Sequence, residues 1–286
     1  MAHNNNHYLT GLIGRDIQGS LSPWLHEQEA AAQGKTLVYR LFDFAAEGLD
    51  ADDLGRVLDA VQLCGFAGVN VTHPYKQAVI AHLDDLSEQA AQIGAVNTVV
   101  FRDGRRVGHN SDIFGFAENM RTGLPGATLD HVVQMGSGGA GAATAHALMS
   151  LGTGQLILFD PDASRAQTLC AALNAIYGAD RAIVGTDLAA AVDQADGIVN
   201  ATPLGMAGYP GSAIPAALLD PRLWVTDIVY FPLETQLLAE ARAAGCRTLN
   251  GSGMTIFQAA GAFELFTQLK ADATRMRASF QSVSGG

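Results

Sequence analysis

Gly136-Ser137-Gly138-Gly139-Ala140-Gly141 stands between the apolar run Val132-Val133-Gln134-Met135 and a long alanine-rich stretch. Glycines at this spacing let a strand turn sharply into a helix and let bare backbone approach a pyrophosphate at the helix N-terminus. Such a turn directs a chain towards a parallel α/β sheet with a dinucleotide at its strand ends. The next segment, Gln155-Leu156-Ile157-Leu158-Phe159, reads as a second strand ending at Asp160. That carboxylate falls close to the spacing of about 20 residues expected for the group that holds a ribose 2′-hydroxyl. It accepts hydrogen bonds from a ribose diol and repels a 2′-phosphate, and Asp162 adds like charge, so NAD is the expected cofactor. Arg165 argues the other way, because a guanidinium can pair with that phosphate, and NADP stays as the less favoured alternative.

The rest of the composition narrows the class. A chain of 286 residues with 48% hydrophobic and 16% charged residues can bury one large core or two ordinary ones. No apolar run reaches the roughly 18 residues of a membrane helix, and the start lacks a basic-then-apolar leader pattern, so a cytoplasmic protein is expected. A formal net charge of −11, without a Lys/Arg cluster, argues against nucleic acid as a partner. Cys64, Cys170 and Cys246 are widely spaced in apolar or alanine-rich settings and read as reduced core thiols, with no metal site expected. His3 and His7 lie in an Asn-rich start that reads as disordered.

Strand-like and helix-like segments alternate throughout. Segments 9–14, 37–42 and 66–72 read as strands, separated by helical stretches near 23–33 and 48–63. Six short strands follow at 131–135, 155–160, 182–184, 197–200, 223–228 and 246–249, enough for a doubly wound sheet. The expected organisation is a substrate domain from 1–112 and 250–286, completed by a C-terminal helix near 255–269, and a Rossmann cofactor domain over 113–249. Asp103-Gly104 between apolar runs predicts a two-residue type I′ hairpin, which sets Asn97 opposite Asn110 and Asp112 beside Gly94-Ala95.

His73-Pro74 reads as a helix entry with Pro74 at the first helical position, which puts Lys76 in the first turn. An ammonium is electrostatically misplaced there, as functional groups often are. Lys76 with Asp112 as its compensating partner is the expected proton-transfer pair, Lys76 as base and Asp112 orienting it; the reverse assignment stays open. Ser20 and Ser22 precede a helix opened by Pro23, Ser22 as its cap and Ser20 without that duty, and two hydroxyls there suit a carboxylate.

These segments together resemble the shikimate/quinate dehydrogenase family over nearly the whole chain. The likeness rests on Ser20-Leu21-Ser22-Pro23 with His26, Asn70 through Lys76, Gly94 through Thr98, Asn110-Ser111-Asp112, the glycine turn, Asn200 through Met206, Asp227 through Tyr230, and Gly251 through Ala260. It implies reversible oxidation of a ring hydroxyl of shikimate or quinate to the 3-dehydro ketone, with Lys76 and Asp112 as the catalytic pair. It further implies carboxylate binding by Ser20, Ser22 and Tyr230, and ring-hydroxyl binding by Thr72, Asn97, Asp112 and Gln258. Gly136, Gly138, Gly139, Ala140, Gly141 and Asp160 correspond to the cofactor turn, and Ala201, Thr202 and Gly253 to backbone near the nicotinamide. Phe159-Asp160-Pro161-Asp162 resembles the NAD-using branch. Ser22, where some quinate-preferring relatives have Thr, sets shikimate first, quinate second, and an aminoshikimate-type substrate third. A non-catalytic sensor of the same fold is the competing class. Oligomeric state is left open.

Overall fold

The computed structural model describes residues 6–284 and divides into two compact units, Met1–Ser111 with Ile256–Gly286, and Asp112–Thr255. The first transition lies one residue before the expected boundary and the second six residues after it.

In the first unit the chain runs β1 (His7–Gly14), α1 (Ser22–Ala32), β2 (Thr36–Asp43), α2 (Leu54–Leu63), β3 (Gly68–Val71), β4 (Asp85–Leu86), α3 (Glu88–Ile93), β5 (Thr98–Arg102) and β6 (Arg105–His109). The sheet order is β2-β1-β3-β5-β6-β4, with β1 parallel to β2 and β3, and with β5 antiparallel to β3 and β6. Alternation along each strand feeds two cores. Ile13, Val69, Val71 and Val99 meet Leu54, Leu58 and Val61 of α2, whereas Leu12, Leu37 and Tyr39 meet Ala30 and Phe263 on the opposite face. The hairpin forms as expected, with φ of 52° at Asp103, 77° at Gly104, and pairs from Arg102↔Arg105 to Thr98↔His109.

The second unit contains most of α4 (Ser111–Gly123), then β7 (His131–Met135), α5 (Gly139–Ser150), β8 (Gln155–Phe159), α6 (Ala163–Tyr177), β9 (Ala182–Val184), α7 (Leu188–Gln194), β10 (Gly197–Asn200), β11 (Trp224–Asp227), α8 (Gln236–Ala243) and β12 (Arg247–Leu249). Its six strands are all parallel in the order β12-β11-β10-β7-β8-β9, a doubly wound sheet whose direction of growth reverses between β7 and β10. Helix α9 (Ser252–Thr267) carries the chain back into the first unit, where α10 (Ala273–Ser284), unanticipated in the sequence, docks on α1 through the bidentate Arg275–Glu29 pair.

Four local expectations are corrected. Residues 73–77 form turns and a short 3₁₀ helix begins only at Ala78, so Lys76 is not in a helical first turn and the dipole argument for it fails. Leu21 is the cap of α1, Ser22 is its first residue, and the Ser20 hydroxyl oxygen accepts from the Ser22 N–H at 3.3 Å, so the local capping duty falls on Ser20. Cys64 ends α2 and is exposed; only Cys170 and Cys246 are buried thiols, and burial pushes both up. His7 opens β1 as regular strand, while His3 lies outside the described residues. No helix among those residues is long and apolar enough to cross a membrane.

His26, fully buried on α1, packs against Tyr39, Phe263 and Phe266 with ring centroids 4.9–6.2 Å away, and burial pushes it down to about 3. The unfolded chain therefore takes up a proton below pH 6.5 that the folded chain refuses until about pH 3. Stability falls as pH drops through that window, and between pH 7 and 5 this one group accounts for about 2 kcal/mol. Its Nδ1 has no hydrogen-bond partner among the described residues, so His26→Leu is expected to remove that part of the slope in thermal melts. An unchanged pH profile would show that His26 is charged in the fold.

Candidate active site

Each unit carries a polar set of its own, and in each the geometry follows from strand ends. In the first unit the buried Asp43 carboxylate, at the end of β2, accepts from Asp16 N (2.9 Å), Ile17 N (3.1 Å), Gln18 Nε2 (3.0 Å) and Ala45 N (3.2 Å). These bonds close the loop after β1, including Asp16 at φ 56°, and so fix the approach to Ser20 and Ser22. Both serines are half-buried. Sequence reasoning missed Asp43; an acidic residue at the end of a strand-like segment was the available signal.

A hydrogen-bonded chain then crosses the sheet. The Tyr39 hydroxyl donates to Asn70 Oδ1 (2.8 Å), and Asn70 Nδ2 donates to Thr98 Oγ1 (3.0 Å) and to the Asn97 carbonyl (3.2 Å). Asn97 in turn donates to Ser111 Oγ (3.0 Å) and accepts from the Ser111 N–H (2.8 Å). All five residues are buried. The backbone carbonyl of Lys76 accepts from Val96 N at 2.8 Å, one residue before Asn97. Lys76 and Thr72 are half-buried, as is Gln258 on α9. Asn110 does not complete a pair with Asn97; it donates to the Ala95 carbonyl at 3.0 Å, and Asn97 turns to Ser111 instead. Asp112, buried, follows Ser111 by one peptide bond as the second residue of α4.

In the second unit, Gly136 has φ 98°, and a Cβ there would stand 2.8 Å from the Ala201 carbonyl oxygen and 3.0 Å from Thr202 Cγ2. The glycine turn and Ala201-Thr202 are thus in contact at the point where the strand order reverses, the usual crevice for a dinucleotide. Gly138 caps α5 with no side-chain hydrogen bond, and the first turn holds no acidic residue. Added Cβ atoms on Gly138 or Gly139 would meet nothing within 4 Å. Ser137 Oγ is buried without a partner among the described residues. Free N–H groups, open space and an orphaned hydroxyl fit a pyrophosphate at this helix start.

Asp160 ends β8; its Oδ2 accepts from Ser137 N at 2.7 Å and its Oδ1 from Asp162 N at 2.9 Å. Arg165 is exposed and ion-pairs with Asp162 at 3.2 Å, which caps α6. Tyr230 lies in the loop after β11 and is half exposed. Gly253 is buried at the start of α9, and a Cβ there would overlap the Asn119 carboxamide, so close packing on α4 requires its glycine.

Residues 12–99 match the family model described as "Shikimate dehydrogenase substrate binding domain". Over 97% of its length the chain is 52% identical to a shikimate dehydrogenase (NADP(+)) of Streptomyces avermitilis, covering 96% of that protein. It is 51% identical over 98% of its length to a quinate/shikimate dehydrogenase (NAD(+)) of Corynebacterium efficiens, all of which it covers. The fold superposes on quinate dehydrogenase from Corynebacterium glutamicum in complex with NAD with a TM-score of 0.92 and 47% identity, over 97% of this chain and 99% of that one.

Proposed function

The chain belongs to the shikimate dehydrogenase family, and from that premise we propose that it is an NAD-dependent oxidoreductase that interconverts shikimate or quinate with the corresponding 3-dehydro ketone. The observation that carries the cofactor assignment is the Asp160 carboxylate, held at the end of β8 against the glycine turn. An anion there favours an unmodified ribose diol. Arg165, already paired with Asp162, offers little to a 2′-phosphate. NADP-named relatives at similar identity make this the property to test first.

When bound, NAD supplies the acceptor for the hydride that leaves the ring carbon. The chain's own residues handle the proton and the orientation. Lys76 takes the hydroxyl proton, and Asp112 orients it. The bonds between Asn97 and Ser111 stand outside the proton transfer but support it: Asn97, so tied, presents a fixed carboxamide for ring hydroxyls, joined by Thr72 and Gln258. Ser20, Ser22 and Tyr230 take the carboxylate, so an acidic protein holds an anion through neutral donors. Ser22 rather than Thr favours shikimate over quinate. The substrate is a small anionic cyclic polyol, and the three unpaired cysteines suit a cytoplasmic setting.

NADH appearance at 340 nm with shikimate, quinate and an amino analogue, each with both dinucleotides, tests the reading. Turnover with shikimate and NAD is expected. Ligand binding without turnover would instead favour a sensor, and preference for the amino analogue would reassign the substrate. Asp160→Ser combined with Pro161→Arg is expected to move the kcat/KM ratio towards NADP by at least about tenfold, the loss of one repulsive charge and gain of one attractive one. An unchanged ratio would remove Asp160 from the ribose site.

A further inference from the structure

We infer that Asp227 is a positioning residue for the nicotinamide end of the cofactor, acting through Asn200 on Thr202. Asp227 and Asn200 end the neighbouring strands β11 and β10 and are register partners. Asp227 is fully buried, and burial pushes its carboxyl above the usual range. Its carboxylate is met by three neutral donors and, among the described residues, by no cation. Oδ1 accepts from Asn200 Nδ2 (3.0 Å) and Val229 N (3.0 Å), and Oδ2 from the Thr235 hydroxyl (2.7 Å).

A carboxylate only accepts, so it forces the Asn200 amide to turn its NH₂ inward and its oxygen outward. That oxygen then accepts from Thr202 N (3.1 Å) and Thr202 Oγ1 (2.6 Å), while Asn200 Nδ2 also donates to the Leu204 carbonyl (3.0 Å). Thr202 Oγ1 accepts from Leu204 N at 3.2 Å. Residues 201–204 are thereby locked in one conformation directly against the glycine turn, which the Gly136–Ala201 approach places at the sheet's reversal point. The pyrophosphate belongs to the β7 side of that point and the second nucleotide to the β10 side. A buried charge with no ion partner is costly to keep, and orienting this loop gives a reason for keeping it.

The inference rests on the NAD-linked reading given above, and the test separates the two. Steady-state kcat with shikimate and NAD is measured beside the Kd for ADP-ribose, which lacks the nicotinamide. Asp227→Ala is expected to lower kcat by about 10- to 100-fold, the scale of a small misplacement of a reacting group, with the ADP-ribose Kd within about twofold. Asp227→Asn, which keeps one oxygen for Asn200 and Val229 while Thr235 turns to accept, is expected to restore most of kcat. Should Asp227→Ala not fold, Thr202→Val reads the same chain from its outer end, with Thr202→Ser as its rescue. Folded variants with unchanged kcat, or a loss of ADP-ribose binding equal to the loss of kcat, would overturn the inference. A wild-type protein without NAD-linked turnover would overturn the functional reading beneath it.

Discussion

Lys76→Ala is expected to lower kcat for shikimate oxidation by roughly 10²–10⁴-fold, the usual contribution of a positioned proton acceptor, while NAD binding and the melting temperature stay near wild type. No helix dipole acts on Lys76, since residues 73–77 are turns; its place is set by how the chain is anchored. The Lys76 carbonyl is bonded to Val96, the neighbouring Asn97 is bonded to Ser111, and Asp112 is the next residue. The side chain is half-buried on a turn whose backbone bond does not involve the ammonium, so its removal spares the core. Stopped-flow measurement of the hydride step at saturating cofactor checks this, and a change below threefold would refute the assignment.

The second large effect concerns two glycines of the same turn that fail in different ways. Gly141 is buried in the first turn of α5, and a Cβ there would overlap the Gly136 carbonyl. Backbone cannot move aside cheaply, because Gln134, fully buried, ties both halves of the turn: its Nε2 donates to the carbonyls of Gly136 (2.9 Å) and Gly141 (2.8 Å). Gly141→Ala is expected to cost about 3 kcal/mol or more, above the usual overpacking penalty, and to abolish NAD binding with a fall of roughly 10 °C in Tm. Gly138 has φ −72° and open space around its missing Cβ. Gly138→Ala is expected to melt as wild type yet to weaken NAD at least about tenfold, because its methyl enters the space a pyrophosphate needs. Calorimetric titration and thermal melts on both variants read the difference. Equal behaviour of the two would mean that the turn is a structural connection only.

The second unit was the more legible half. Most of its strands are rich in apolar residues, as parallel strands covered on both faces are, and β7, β9 and β10 fall where the pattern sets them. The hairpin was legible because Asp-Gly prescribes its own turn. The helix at 22–32 was legible to within a residue, but the chain after Pro74 was not, since a proline fixes its own φ but does not say whether a helix follows. A tertiary bond decided there, from Val96 N to the Lys76 carbonyl. Candidate site residues were visible as motif letters, but the residues that hold them were not. Asp43, Tyr39 and Thr98 bond to partners far away in the chain, and a linear pattern carries no such partnership.

The first unit is sewn from two stretches of chain that flank the second. Phe263 and Phe280, both fully buried, belong to the segment that returns after the second unit is finished, and Phe263 packs with Leu12, Leu37 and Tyr39. During vectorial synthesis the nucleotide-binding half is thus contiguous and ready to mature first, whereas the half that emerged earlier waits with an uncovered apolar face until α9 and α10 leave the ribosome. A premature stop between the second unit and Phe280 consequently damages the part of the protein that was translated first.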